Sequence, residues 1–137
     1  PEDYIHDVNI RLSLYKRIAN CKDQNQLDEL QVELIDRFGL LPDTAKNLFE
    51  LTAYKQQAQS LGIRRLEAGP FGGQIEFAED TKVDAGYLIG LLQQQPAIYR
   101  MDGPSKLKFK IPAEAAKDRL QLVSGMLGEF ERNRVEN

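Results

Sequence analysis

Apolar residues at Val8, Leu12, Tyr15 and Ile18 recur at spacings of four and three, which predicts a first amphipathic helix from Asp7 to about Ala19, with Asp7 capping its first turn. His6, just ahead of it, reads as a surface or capping residue. After the polar connector "NCKDQNQ", Leu27, Leu30, Leu34 and Phe38 form the stripe of a second helix, and Gly39 is placed to stop it in a left-handed conformation. Pro42 and Asp43 suit the first turn of a third helix, which runs to about Leu61 and is closed by Gly62. That helix carries two stripes, Ala45/Leu48/Phe49/Thr52 and Leu51/Tyr54/Ala58/Leu61, and is expected to pack on two sides.

At Gly62 the period shortens. "GIRRLEAG" and "GGQIEFAED" flank the loop "AGPFGG", where Gly72 and Gly73 permit positive backbone dihedrals, and together they predict a hairpin. Asp84 then caps a helix through Leu88, Leu91 and Leu92 that must end before Pro96. "AIYRM" and "KLKFKI" flank the turn "DGPS" and predict a second hairpin. Leu120, Val123, Leu127 and Phe130 mark a last helix from about Ala113 to Arg132. The expected fold is α+β: an N-terminal helical layer (1–61), then a ββαββα unit (62–137) with a largely antiparallel four-stranded sheet covered by helices, all within one domain.

Composition narrows the function more than the fold. A hydrophobic share of 42% beside 28% charged residues describes a chain that folds into a core rather than staying disordered. Its net charge of -3 provides no global field for gathering phosphates, so strong nucleic-acid binding is not expected. No apolar run approaches the roughly 18 residues of a spanning helix, and the single Cys21 allows no internal disulfide, so a cytoplasmic setting without membrane insertion is expected. The opening "PEDYI", without methionine, suggests a piece of something longer.

Candidate chemistry thins out quickly. One histidine and one cysteine are too few for the usual zinc set, and no segment has the spaced acids of a calcium loop. "GPFGGQ" is glycine-rich but lacks the Lys-Ser/Thr of a phosphate-binding loop and joins two strands, so it reads as a turn. No base stands near a credible nucleophile. No catalytic, metal or cofactor residue is therefore assigned, and the chain is expected not to be an enzyme.

Two charged features remain. On the second helix Glu29, Glu33 and Asp36 fall within about 60° of one another and roughly 150° from the leucine stripe, so they face outward. Carboxylates near a helix C-terminus gain nothing from the macrodipole, although Arg37 offsets some of their charge. Such a face is either simply solvated or a patch for a basic partner. A catalytic pair would need burial or a tight neighbour in a concave site. The second feature is basic: Arg64 and Arg65, and the alternation Lys106, Lys108, Lys110 against Leu107 and Phe109. These read as solvent-face strand cations, with a nucleic-acid contact as the alternative.

Six blocks, "DYIHDVNIRLSLYKRIA", "ELQVELIDRFGLLPD", "QQAQSLGIRRLE", "GGQIEFAE", "LIGLLQQQP" and "YRMDGPSKLKF", closely resemble, in that order, the C-terminal domain of the bacterial transcription-repair coupling factor family (Mfd). The likeness runs from about residue 3 to 110; beyond it "PAEAAKDRLQLVSGMLGEFERNRVEN" matches in length and character. The resemblance implies a regulatory piece of a multidomain, ATP-driven DNA translocase that recognises stalled RNA polymerase and recruits excision repair through the UvrA damage sensor. In that family the domain docks on the N-terminal UvrB-like module, hides the UvrA-binding surface and restrains the motor until polymerase is engaged. The family's contact uses acids of the "ELID" block, which here match Glu33 and Asp36, against arginines of the module. No cofactor and a monomeric state are expected.

Overall fold

The structure, a computed structural model, describes residues 8–135; the expected roles of His6 and Asp7 lie outside them. Two compact units divide the chain, residues 1–56 and 57–137.

The first unit is helical, with α1 (Val8–Asn20), α2 (Gln24–Phe38) and most of α3 (Asp43–Ser60). Its core is Leu14, Ile18, Leu27, Leu30, Leu34, Leu41, Ala45 and Phe49, with Cys21, Phe38, Leu48 and Ala53 packed at its edge. The α2 stripe is therefore as expected, but the α1 stripe is not. Leu14 and Ile18 point inward, while Val8 and Leu12 are more than half exposed. Ile18 of the expected stripe is buried and Tyr15 partly so, but apolar residues lie on several faces of α1, and packing onto α2 and α3 chose Leu14 in place of Val8 and Leu12.

Asp23 caps α2 by accepting the Gln26 N–H at 2.8 Å, and the Gln26 side chain accepts the Lys22 N–H at 2.8 Å. This reciprocal arrangement satisfies two otherwise orphan donors and fixes the entry of the helix. At the other end Gly39 has φ 90° and ψ −163° and donates to the Ile35 carbonyl at 2.9 Å. The positive φ is as expected, but the extended ψ replaces the left-handed turn with a conformation open essentially to glycine alone. α3 starts at Asp43, its first turn closed by the Lys46 N–H on the Pro42 carbonyl. Ala45 and Phe49 are buried, but Leu51 of the expected second stripe is half exposed.

The second unit holds β1 (Ile63–Ala68), β2 (Gly73–Phe77), α4 (Ala85–Gln94), β3 (Tyr99–Met101), β4 (Lys106–Phe109) and α5 (Ala116–Arg132). The strands form one antiparallel sheet in the order β1-β2-β4-β3, so the two hairpins meet through their second strands. Ile75 lies opposite Leu107 at that junction, and both are fully buried. The α+β fold expected from the sequence is the fold observed, with the strand order added by the structure.

Local chemistry explains the turns. Gly72 has φ 158°, and the Gly69 N–H closes the turn on its carbonyl at 2.8 Å. Gly73 was expected to share the positive dihedral, but its reason is space: a Cβ there would stand 1.9 Å from the Glu67 carbonyl oxygen and 2.6 Å from the Phe109 ring. Asp84 caps α4 by accepting the Tyr87 N–H at 3.2 Å, and the helix ends before Pro96 as expected. α5 starts at Ala116, later than expected, because Ala113 is buried in an extended approach and donates its N–H to the Pro70 carbonyl at 2.9 Å. Phe130 of α5 then meets Phe77 of β2 and Tyr87 of α4 edge-on. Among the described residues no helix is long and apolar enough to cross a membrane.

Candidate protein-docking face

The packing of Leu27, Leu30 and Leu34 into the first unit's core turns the opposite side of α2 to solvent. Glu29 and Asp36 are exposed there, as the helix geometry required. Glu33 is different. Arg17 of α1 reaches it with a two-pronged contact, Nη1 to Oε2 at 2.5 Å and Nη2 to Oε1 at 3.0 Å, between side chains that each keep nearly half their surface in water. Forked guanidinium–carboxylate geometry fixes orientation as well as charge. Among the described residues, neither Glu29 nor Asp36 carries an ion pair.

The electrostatics follow from that fork. The Arg17 hydrogen bonds, aided by the charges of Arg17 and Arg37, hold the Glu33 carboxyl below its ordinary pKa, and the same contact raises the Arg17 guanidinium. A carboxylate stabilised in its charged form is a poor proton donor near neutrality. Arg37 lies over the Phe38 ring at 5.1 Å from its centroid. A cleft of about 220 Å³ opens beside the fork between α1 and α2, lined by Cys21, Gln26, Glu29 and Leu30. Cys21 donates to the Arg17 carbonyl at 3.3 Å, and burial pushes its thiol pKa up, so it rests as the unreactive thiol rather than the thiolate. Among the described residues no group of three His, Cys, Asp or Glu is arranged to hold a metal ion.

The basic residues lie elsewhere, on the solvent side of the sheet. Leu107 and Phe109 are buried while Lys106 and Lys108 point away from them, as the alternation predicts; Lys110 is exposed just past the strand. Acids are interleaved among these cations. Arg65 lies opposite Glu76, which in turn lies opposite Lys106. Arg65 also contacts Glu67 at 3.6 Å, and Lys108 contacts Asp102 at 3.4 Å. The second unit has eleven acids and eleven bases, so the sheet face sits in a neutral field. The first unit has ten acids against seven bases, and its three surplus acids, Glu2, Asp3 and Asp7, lie outside the described residues.

The TRCF domain family model matches residues 1–88, which include every residue of this face. The chain belongs to the TRCF domain family. It is 53% identical over 135 residues to the transcription-repair-coupling factor of Escherichia coli (strain K12), covering 98% of this chain and 12% of that protein. It is 48% identical over 127 residues to the transcription-repair-coupling factor of Haemophilus influenzae (strain ATCC 51907 / DSM 11121 / KW20 / Rd), covering 93% of this chain and 11% of that protein. This TRCF domain thus spans about an eighth of the length of those curated relatives, and the likeness continues through α5. A crystal structure of the C-terminal domain of transcription-repair coupling factor superposes with a TM-score of 0.70 at 24% identity, covering 96% of this chain and 87% of that one. The TRCF domain fold is common to the two.

Two features of the face escaped the sequence. The Arg17–Glu33 fork joins residues sixteen positions apart on different helices, and no local pattern announces it. The capping pair Asp23/Gln26 lies within the polar connector, where an acid followed three residues later by glutamine is its sequence signal.

Proposed function

We propose that this chain is a non-catalytic regulatory domain, a single C-terminal domain with a helical part (1–61) and a hairpin-helix part (62–137), of a larger ATP-dependent DNA translocase acting in transcription-coupled repair. It docks through the outer face of α2 on an N-terminal UvrB-like module of the same protein. Docking masks the surface that UvrA would bind and restrains the motor until stalled RNA polymerase is engaged. The domain acts in the cytoplasm as a monomer, without a cofactor.

The observation that carries the reading is the pair Glu33 and Asp36 on the solvent side of α2, with the carboxylate of Glu29 on the same side. Similarity over nearly the whole chain to a small fraction of each transcription-repair-coupling factor supports a part that serves a larger protein. Exposed ion pairs are individually weak, which suits a contact that must open. Covalent attachment raises the effective concentration enough for weak contacts to hold.

A calorimetric titration of the chain against the UvrB-like module of its parent tests this. Binding should weaken with added salt and with Glu33→Ala/Asp36→Ala. Binding indifferent to both would move the docking surface off this face.

A further inference from the structure

The acidic side of α2 is not wholly polar. Val32 is 60% exposed, Ile35 41%, and Leu40, just past the Gly39 stop, 87%. Around the helix axis Val32 sits about 40° from Asp36 and about 160° from the buried Leu34, so it is no frayed edge of the core. Ile35 lies roughly 60° further round on the same side. Single exposed aliphatics are ordinary on any protein. Here three fall within residues 32–40, and Val32 adjoins Asp36, one of the two acids of the proposed contact.

We infer that Val32, Ile35 and Leu40 form the apolar centre of the docking surface and that Glu33 and Asp36 form its acidic edge. The inference rests on the docking reading above and specifies its partner: a folded protein surface presenting an aliphatic patch flanked by arginine or lysine. Charge selects that occupant. An anionic membrane or a nucleic acid would be repelled by the carboxylates of Glu29, Glu33 and Asp36 gathered on this side of α2, and a second copy of this face would repel itself. A basic-edged protein patch is attracted and also covers the aliphatic side chains. Interfaces commonly divide in this way, with desolvated apolar groups supplying affinity and edge charges supplying orientation. Two exposed ion pairs each shift an equilibrium by about fivefold at most, so acids alone would hold the domain only loosely.

The test is the same titration run over a range of temperatures at low and high salt. Val32→Ser/Leu40→Ser should weaken binding by at least about tenfold from the aliphatic area no longer buried. It should also make the heat-capacity change of binding less negative and leave the salt dependence unchanged. Glu33→Ala/Asp36→Ala should flatten the salt dependence and leave the heat capacity as it was. Unchanged affinity and heat capacity for Val32→Ser/Leu40→Ser, with binding still weakened by the acid variant, would overturn the aliphatic centre and leave the docking reading standing. No binding by the unmodified chain, or indifference to both variants, would overturn the two together. If Val32→Ser lowers the melting temperature, Leu40→Ser alone, outside any helix, carries the test with a loss of at least about threefold.

Discussion

Phe130 offers a sharp test of how the second unit is held together. Its ring is 2% exposed and meets Phe77 at a centroid distance of 5.9 Å and an interplanar angle of 76°, and Tyr87 at 6.2 Å and 83°. Edge-to-face pairs of this kind contribute about 0.5–1.5 kcal/mol each beyond the area they bury. Phe130→Leu keeps most of the apolar volume and removes both pairs, so it should cost about 1–3 kcal/mol, against about 3–5 kcal/mol for Phe130→Ala, which also leaves a cavity. Urea unfolding followed by circular dichroism measures both, and an unchanged denaturant slope would show that only native stability has moved. A double-mutant cycle with Phe77→Leu isolates one pair and should return a coupling of about 0.5–1.5 kcal/mol. Tyr87 gives an independent readout. Burial raises its phenol pKa, assisted by the Glu129 charge, so Phe130→Leu should let it fall back toward the ordinary tyrosine value. A coupling within about 0.3 kcal/mol of zero would refute the claim that ring geometry, rather than burial alone, holds α5 to the sheet.

Arg17→Gln should return the Glu33 carboxyl toward its ordinary titration range in an NMR titration; because folding lowers that pKa, the associated stability is present above the unfolded-state value and is lost as pH falls through the folded one. A Glu33 titration unmoved by Arg17→Gln would contradict the fork. Gly62→Ala should destabilise more than Gly39→Ala: both positions have positive φ and share a strain of about 1–3 kcal/mol, but only at Gly62 would the new Cβ stand 2.6 Å from the Thr81 backbone. Equal losses in chemical denaturation would show that Thr81 gives way. Tyr99 should ionise above the ordinary tyrosine pKa because it is partly buried, with stability falling as pH rises past the unfolded-state value; an unshifted ultraviolet titration would place its ring in water. The interleaved acids of the sheet face predict no duplex-DNA binding at low salt, whereas binding lost with Lys106→Ala/Lys108→Ala would reassign that face.

Element order was legible because the local signals agreed with one another. Asp84 and Pro96 bracket α4, and alternation puts Leu107 and Phe109 inside with Lys106 and Lys108 outside, so propensity, turn chemistry and burial all point the same way. Strand order was not legible, because pairing β2 with β4 depends on contacts across 30 to 36 residues for which no short pattern exists. The error on α1 has a different source. Ile10, Leu12 and Leu14 spread apolar character round the helix, so two stripes satisfied helical spacing, and only tertiary packing could set Leu14, rather than Leu12, beside the expected Ile18.

For the candidate face, helix geometry alone placed Glu29, Glu33 and Asp36 on the solvent side, but treated them as alike. They are not. Glu33 is held in a fixed orientation by a forked guanidinium that also lowers its pKa, whereas Asp36 stands exposed beside Val32. An incoming arginine that uses Glu33 must share the carboxylate with Arg17 or displace it, and gains only the difference between two similar contacts. At Asp36 it displaces water alone. The net gain at each acid is therefore small for a distinct reason, competition at one and screening at the other. Alanine at Asp36 should then remove salt-sensitive attraction with little other consequence. Alanine at Glu33 should also release Arg17, adding an unpaired cation at the edge of a surface that is proposed to meet cations. Measured separately, Glu33→Ala should weaken docking more than Asp36→Ala, and Arg17→Gln with Glu33 intact should strengthen it.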